Sequence, residues 1–157
     1  MPPPQFVIWI STTPFGTWMI RHVLSPLDPI VFRATNGRLT FMGPPAMPML
    51  ALTTTGRRSG RSRTVQLACL ERDGDFYVVA SSMGQEKHPG WRYNLDANPD
   101  VEVQVKGERF DARAQVLSDE EKNAIWSEIK QVIPQMNVYE KRTDRNIRLF
   151  RLRRVRA

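Results

Sequence analysis

Thr64-Val-Gln-Leu-Ala-Cys-Leu-Glu-Arg72, then Asp73-Gly74-Asp75, then Phe76-Tyr-Val-Val-Ala-Ser81, are two runs rich in β-branched and aromatic residues around an Asp-Gly turn. Such a pair reads as an antiparallel hairpin, because Asp-Gly takes the left-handed backbone that a tight turn needs. Upstream, residues 50–55 (Leu-Ala-Leu-Thr-Thr-Thr) form another strand. Downstream, Val101-Glu-Val-Gln-Val105 alternates strictly, which turns its valines inward. Lys106-Gly107-Glu108 turns that strand, residues 110–117 return, and residues 147–155 close the chain as a last strand. Ser118 with Glu121 three residues later is a capping box. It opens a helix through about Val132 in which Ile125, Ile129 and Val132 share a face with Trp126, and Pro134 stops it. The expected fold is mainly β with helices (α+β): a split antiparallel barrel of about six strands, with one long helix before the last. No Gly-x-Gly-x-x-Gly follows any strand, which speaks against a dinucleotide-binding βαβ unit.

Residues 1–157 are expected to form a single domain, with an apolar helical segment at 6–33 and the barrel at 48–157. In the first segment Phe15, Trp18 and Met19 fall at helical spacing, with Val23 a turn beyond, before Ser25-Pro26 interrupts. Two readings stand: a helix packed on the core or on a partner, or an amphipathic anchor lying on a bilayer or flanking a substrate mouth. Asn36-Gly37 signals a tight turn, and Gly43-Pro44-Pro45-Ala46-Met47-Pro48 an irregular connection.

Apolar residues make up 41% and charged residues 25%, which is globular composition rather than disorder. A formal charge of +7 and a pI of about 10.2 point to an acidic partner. Nucleic acid, an anionic membrane and a polyanionic cofactor all fit that balance. The single Cys69 excludes an internal disulfide, and with only His22 and His88 no metal centre is expected. A reducing, cytoplasmic setting follows by default. Met-Pro-Pro-Pro-Gln carries no basic stretch before the apolar patch, so no cleavable signal is expected. Pro14 and Arg21 cut the apolar stretch well short of the roughly 20 residues of a membrane span.

Two stretches carry chemistry. After residues 50–55 the chain breaks at Gly56 into a loop bearing Arg57, Arg58, Ser59, Gly60, Arg61, Ser62 and Arg63. Glycine lets successive backbone N–H groups converge on an anion, and guanidinium forks match phosphate and carboxylate. The other reading is a solvated hairpin turn whose arginines serve solubility. The second stretch, Ser81-Ser82-Met83-Gly84-Gln85-Glu86-Lys87-His88-Pro89-Gly90-Trp91-Arg92-Tyr93-Asn94-Leu95, is a loop entering a short helix. Ser81, Ser82 and the Gly84 backbone can hydrogen-bond a planar ligand or its sugar chain. Trp91 can instead fill the barrel end, and Asn94 can cap backbone.

Several motifs then occur in order. They are Thr-x-Gly-Arg-Arg-Ser-Gly-x-x-Arg, the Asp-Gly-Asp-Phe-Tyr-Val-Val-Ala-Ser hairpin, and Lys87-His88-Pro89-x-Trp91-x-x-Asn94-Leu95-x-Ala97-Asn98-Pro99. Tyr139-Glu140-x-Arg142-Thr143-x-Arg145-x-Ile147 follows near the end. Together they resemble the deazaflavin (F420)-dependent nitroreductase and quinone reductase family, split-barrel oxidoreductases related to the flavin-binding barrels. The resemblance implies the 5-deazaflavin coenzyme F420, a long polyanion with a phosphodiester and a polyglutamate tail, in preference to FMN. By position it implies that Arg57, Arg58, Ser59, Gly60, Arg61 and Arg63 grip phosphate and tail, with Lys87 extending the rim. Ser81, Ser82, Met83 and Gly84 would lie along the ring, and Trp91 and Asn94 would shape its wall. Trp18, Ile133, Met136 and Tyr139 would form the substrate pocket.

This chain departs from the family's nitro-reducing members. It has Met136 where they have a tyrosine, Ile133 where they have another aromatic, Ser82 where several relatives have Lys, and Gln66 where they have Pro. A thioether cannot donate a proton and a phenol can, so nitro reduction is not expected and Tyr139 is the candidate donor, or else a packed side chain. The expected activity is hydride transfer from reduced F420 to a hydrophobic acceptor such as a quinone or enone, at the inner membrane face if the apolar segment touches anionic lipid. The alternative is a non-catalytic deazaflavin or lipid carrier. A nucleic-acid-binding barrel, suggested by Arg148, Arg151, Arg153, Arg154 and Arg156, ranks last, since that strand offers only Phe150 for stacking.

Overall fold

The computed structural model describes residues 5–40, 47–81, 84 and 87–155. Six strands, β1 (Met49–Thr55), β2 (Ser62–Arg72), β3 (Asp75–Val79), β4 (Asp100–Val105), β5 (Glu108–Val116) and β6 (Leu149–Arg154), form one antiparallel barrel. Their order around the ring is β1-β2-β3-β6-β5-β4. Local connections set half of the six pairings, β1–β2, β2–β3 and β4–β5. Asp73-Gly74 and Lys106-Gly107 each have both residues at positive φ, the backbone of a two-residue hairpin. Closure is non-local: β1 meets β4 with Ala51, Leu52 and Thr53 opposite Gln104, Val103 and Glu102.

Strand alternation divides the apolar residues between two cores. Leu50, Leu52, Val78, Val101, Val103, Val105, Phe150 and Leu152 fill the barrel interior, with Trp91 meeting Phe150 edge-on at 5.8 Å. On the outside, Leu70, Tyr77, Val79 and Leu149 are covered by Ile125, Ile129, Ile133, Met136 and Tyr139. Those five come from α5 (Asp119–Val132), α6 (Met136–Arg142) and the residues between them. The Ser118 hydroxyl accepts from the Glu121 N–H and the Glu121 carboxylate accepts from the Ser118 N–H, so the expected capping box starts α5.

The amino-terminal segment is helical as α1 (Gln5–Thr12), α2 (Pro14–Met19), a π-helical turn at Ile20–Leu24, and α3 (Ser25–Ala34). Ser25-Pro26 opens α3 rather than breaking the segment, because proline is tolerated in a first helical turn. Asn36-Gly37 makes the expected tight turn, here at the end of a helix. Both residues have positive φ, and the Gly37 N–H returns to the Phe32 carbonyl at 2.7 Å, a cap that ends α3. Trp9, Phe15 and Trp18 lie outward, 63%, 72% and 54% exposed, so packing on the core does not account for them. The connection at 43–46 lies outside the described residues.

Candidate active site

The loop between β1 and β2 is closed by its own backbone. The Gly56 N–H donates to the Arg61 carbonyl at 2.7 Å, and the Gly60 N–H to the Gly56 carbonyl at 2.8 Å. The Arg61 N–H reaches Ser59 Oγ at 3.2 Å, and the Arg57 N–H reaches Asn94 Oδ1 at 3.1 Å. Gly60 sits at φ +68, which explains its glycine. At Gly56 a Cβ would lie 2.7 Å from Ser59 Oγ. Those four N–H groups are therefore spent inside the protein. What the loop presents outward is guanidinium charge. Arg57, Arg58, Arg61 and Arg63 are all exposed, and Arg63, expected in the loop, is the second residue of β2, opposite Thr54.

Helix α4 (Gly90–Ala97) carries this loop. Asn94 Nδ2 donates to the buried Thr54 Oγ1 at 3.0 Å while its oxygen takes the Arg57 N–H. The Arg57 guanidinium lies 4.7 Å from the centre of the Tyr93 ring, and that of Arg92 lies 5.1 Å from the same ring. Asn94 is thus a pin between helix and loop. Trp91, one turn earlier, is buried against Phe150 and also walls the cavity next to it.

That cavity, about 410 Å³, lies on the outer face of β2 beneath α6 and the link that leads into it. Thr64, Gln66 and Ala68 form its floor, Ser81 and Trp91 one wall, and Ile133, Met136 and Tyr139 the other. Three of the four expected pocket residues therefore converge, together with Ser81 and Trp91. Trp18 is not among the cavity's walls; it stacks on His22 at 5.2 Å in the solvent-facing part of the first segment. Ile20 and Pro29, from the same segment, do reach the cavity.

Gly84 packs on α6 at φ +73, where a Cβ would stand 2.7 Å from the Tyr139 carbonyl oxygen. Lys87 is exposed. Ser82 and Met83 lie outside the described residues.

Sequence reasoning quoted Arg145 in a motif but gave it no role. It donates through Nη1 to the Ala80 carbonyl at 3.0 Å and through Nη2 to the Ser81 carbonyl, fixing the start of the loop that carries Gly84. Nη1 also faces His88 Nδ1 at 3.1 Å, and because guanidinium only donates, that nitrogen accepts. Burial and the Arg92, Arg145 and Arg148 charges hold the His88 imidazole below its ordinary pKa. Arg142 donates to the Thr12 carbonyl and lies 5.5 Å over the Tyr139 ring, joining the first segment to the cavity wall. Gln66 and Gln135 were also missed as site residues. A glutamine amid the apolar residues of β2 was the available signal. Cys69 is not a nucleophile, because burial first, and the Glu71 charge second, push its thiol up to about 12.

Of the carboxy-terminal arginines, Arg151, Arg153 and Arg154 pair with carboxylates, and Arg156 lies outside the described residues. Arg151 Nε donates to Asp75 at 2.7 Å with Arg153 4.0 Å from the same carboxylate, and Arg154 pairs with Glu108 at 2.7 Å while covering Phe110. Strand β6 is paired on both sides, so its charges do not guard an open edge.

Comparison with known proteins agrees with this geometry. The profile of the family described as F420H(2)-dependent quinone reductase matches residues 29–153. An F420H(2)-dependent quinone reductase of Mycobacterium tuberculosis (strain ATCC 25618 / H37Rv) is 38% identical over 139 residues, 83% of this chain and 91% of that protein. A solved structure of an F420-H2 dependent reductase superposes with a TM-score of 0.62 at 38% identity, covering 67% of this chain and 93% of the other. A second, described as a domain-swapped dimer, gives 0.64 at 34% identity over 82% and 99%. By the extent of the profile match and the identity to these relatives, the chain belongs to the F420H(2)-dependent quinone reductase family, oxidoreductases whose cofactor is F420.

Proposed function

We propose that this protein reduces a hydrophobic quinone with F420H2, and that α4 joins the two halves of the site. The observation that carries this reading is that one helix holds both: Asn94 fixes the cationic loop and Trp91, a turn away, walls the apolar cavity. The residues present fit the coenzyme's chemistry. The exposed guanidinium groups of Arg57, Arg58, Arg61 and Arg63, with Lys87, would hold an acidic tail. Ser81, Gly84 and Trp91 would hold the ring end, with Ser82 and Met83 assigned there from the motif alone. When bound, the reduced coenzyme supplies two electrons as hydride.

The chain's own part is placement, water exclusion and a proton. Ile133 and Met136 present apolar surface to a flat acceptor and keep solvent from it. Tyr139, buried and lining the same cavity, would supply the proton that completes hydroquinone formation and be reprotonated from solvent. Met136 has no proton to give, which weighs against nitro compounds as acceptors. Enones would meet the same apolar walls and the same donor. Quenching of tryptophan fluorescence by F420 tests binding, and oxidation of F420H2 by a panel of quinones, enones and nitroaromatics tests the acceptor. No quenching at micromolar coenzyme would defeat the reading, and reduction of nitroaromatics alone would defeat the choice of quinone.

The outward Trp9, Phe15, Trp18, Val23 and Ile30, with Arg21 beside them, support peripheral contact of a cytoplasmic protein with an anionic bilayer. No described helix is long and apolar enough to cross a membrane. Flotation with anionic vesicles should carry the protein upward, and Trp18→Ser with Phe15→Ser should leave it at the bottom.

A further inference from the structure

One wall of the cavity is built from two separate stretches of chain. Ser81 follows the end of β3, whereas Pro89 and Trp91 belong to the entry of α4. Arg145, half-buried on the link between α6 and β6, bonds both stretches. Its Nη1 donates to the Ala80 carbonyl at 3.0 Å and to His88 Nδ1 at 3.1 Å, and its Nη2 donates to the Ser81 carbonyl. The Gly84 N–H donates to that same Ser81 carbonyl at 2.9 Å. A guanidinium is a planar fork of fixed geometry, so one rigid group sets the spacing between the two stretches.

We propose that Arg145 is a positioning residue for the coenzyme ring, clasping Ser81 to the entry of α4, and that the clasp holds only while His88 is neutral. This rests on the function proposed above, which seats the ring end against Ser81, Gly84 and Trp91. The donors decide the chemistry. Nδ1 accepts from Nη1 only while it carries no proton. Once His88 is protonated, two donors and two positive charges face each other across that contact. Around the imidazole stand Arg92 and Asp96 of α4, the Tyr93 ring edge-on at 6.2 Å, and Arg145 and Arg148 of the link ahead of β6. Burial first, and then three cations against one carboxylate, favour the neutral ring. Acid therefore opens the clasp below the ordinary imidazole value of about 6.5.

Three readouts on the full chain test this. In ligand-free protein, Arg145→Gln should lower the hydrogen-exchange protection of the Gly84 amide about tenfold. Dissociation constants by tryptophan quenching should rise about tenfold in Arg145→Gln, both for F420 and for the deazaflavin carrying its ribityl chain without phosphate or tail. Arg58→Gln should weaken F420 alone, and Arg145→Lys, which keeps charge but not the fork, should recover little. His88→Gln keeps an acceptor for Nη1 that does not titrate. The ratio of wild-type to His88→Gln dissociation constants should therefore rise about threefold or more between about pH 7.5 and 5, the coenzyme's own ionisation cancelling. Unchanged Gly84 protection, a loss confined to the tailed coenzyme, or a constant ratio across that range would each overturn the proposal. If Arg145→Gln does not fold, the His88→Gln ratio decides alone. A wild-type protein that binds no coenzyme would instead defeat the function proposed above, and Gly84 exchange would still decide the clasp.

Discussion

Asn94 Oδ1 accepts the Arg57 backbone N–H at 3.1 Å while Asn94 Nδ2 donates to Thr54 Oγ1 at 3.0 Å, so one side chain ties α4 to both the strand and the loop that follows it. Asn94→Leu strands the buried Thr54 hydroxyl and frees the loop. Urea unfolding should show a loss of about 1–3 kcal/mol, and coenzyme affinity should fall with it. Asn94→Asp keeps an acceptor for the Arg57 N–H and for the Thr54 hydroxyl but places a negative charge among the arginines. It should regain most of the stability and little of the affinity. Full stability in Asn94→Leu would show that the pin is dispensable.

The loop's arginines are exposed and four of its backbone N–H groups are spent internally, so a grip on an acidic tail through these guanidinium groups is open to screening. Arg58→Gln and Arg61→Gln should each weaken coenzyme binding about two- to fivefold at low salt, with no change in melting temperature. In about 1 M salt, where the Debye length falls to about 3 Å, variants and wild type should converge. Salt-independent affinity would mean the tail lies elsewhere.

Gly84 approaches the α6 backbone too closely for any side chain. A Cβ would stand 2.9 Å from both Tyr139 Cα and Arg142 Cβ, and φ +73 already disfavours an L-residue. Gly84→Ala should cost at least about 1 kcal/mol in unfolding free energy and, by pushing α6 outward, raise KM for quinone more than it raises coenzyme dissociation. An unchanged KM would detach Gly84 from the cavity's shape.

What was legible in the sequence was local, and what was missed was not. Asp73-Gly74 and Lys106-Gly107 announce their hairpins because the turn backbone is chosen by the turn residues themselves. The same logic gave the turn at Asn36-Gly37, though not that it ends a helix, since a left-handed pair serves a helix end as well as a hairpin. The pairing of β1 with β4 has no local signal, being set by which ends meet after five other pairings. Ile133, Met136 and Tyr139 were placed together by the resemblance alone, and they do line one cavity. The role of Asn94 needed its partner 37 residues away, and that of Arg145 needed partners 57 to 65 residues away.

His88 gives a pH signature. In the folded chain its imidazole sits below the ordinary value, so as acid is added the unfolded chain binds a proton first. Stability is complete above about pH 6.5 and falls as pH drops below it, until the folded imidazole itself titrates. His88→Gln should remove that part of the loss. The Glu140 carboxylate is a separate case: burial raises its pKa, but hydrogen bonds from Trp126 and Lys130 prevail and leave it depressed. Its contribution is therefore lost only at lower pH. Melting temperatures of wild type and His88→Gln that run parallel between about pH 7.5 and 5 would refute the assignment to His88.

Tyr139→Phe isolates the proton from the packing. The side chain is 6% exposed, walls the cavity and lies beneath the Arg142 guanidinium at 5.5 Å, and none of that contact surface is lost when the hydroxyl goes. If Tyr139 delivers the proton to the reduced acceptor, kcat with quinone should fall about 100-fold while coenzyme dissociation is unchanged, the loss belonging to the transition state alone. The solvent deuterium isotope effect on kcat should also change, because a slower route for the proton replaces the phenol. If the hydroxyl only packs, melting temperature drops slightly and kcat stays near wild type. That result would move the proton source to water and leave the cavity as a binding surface.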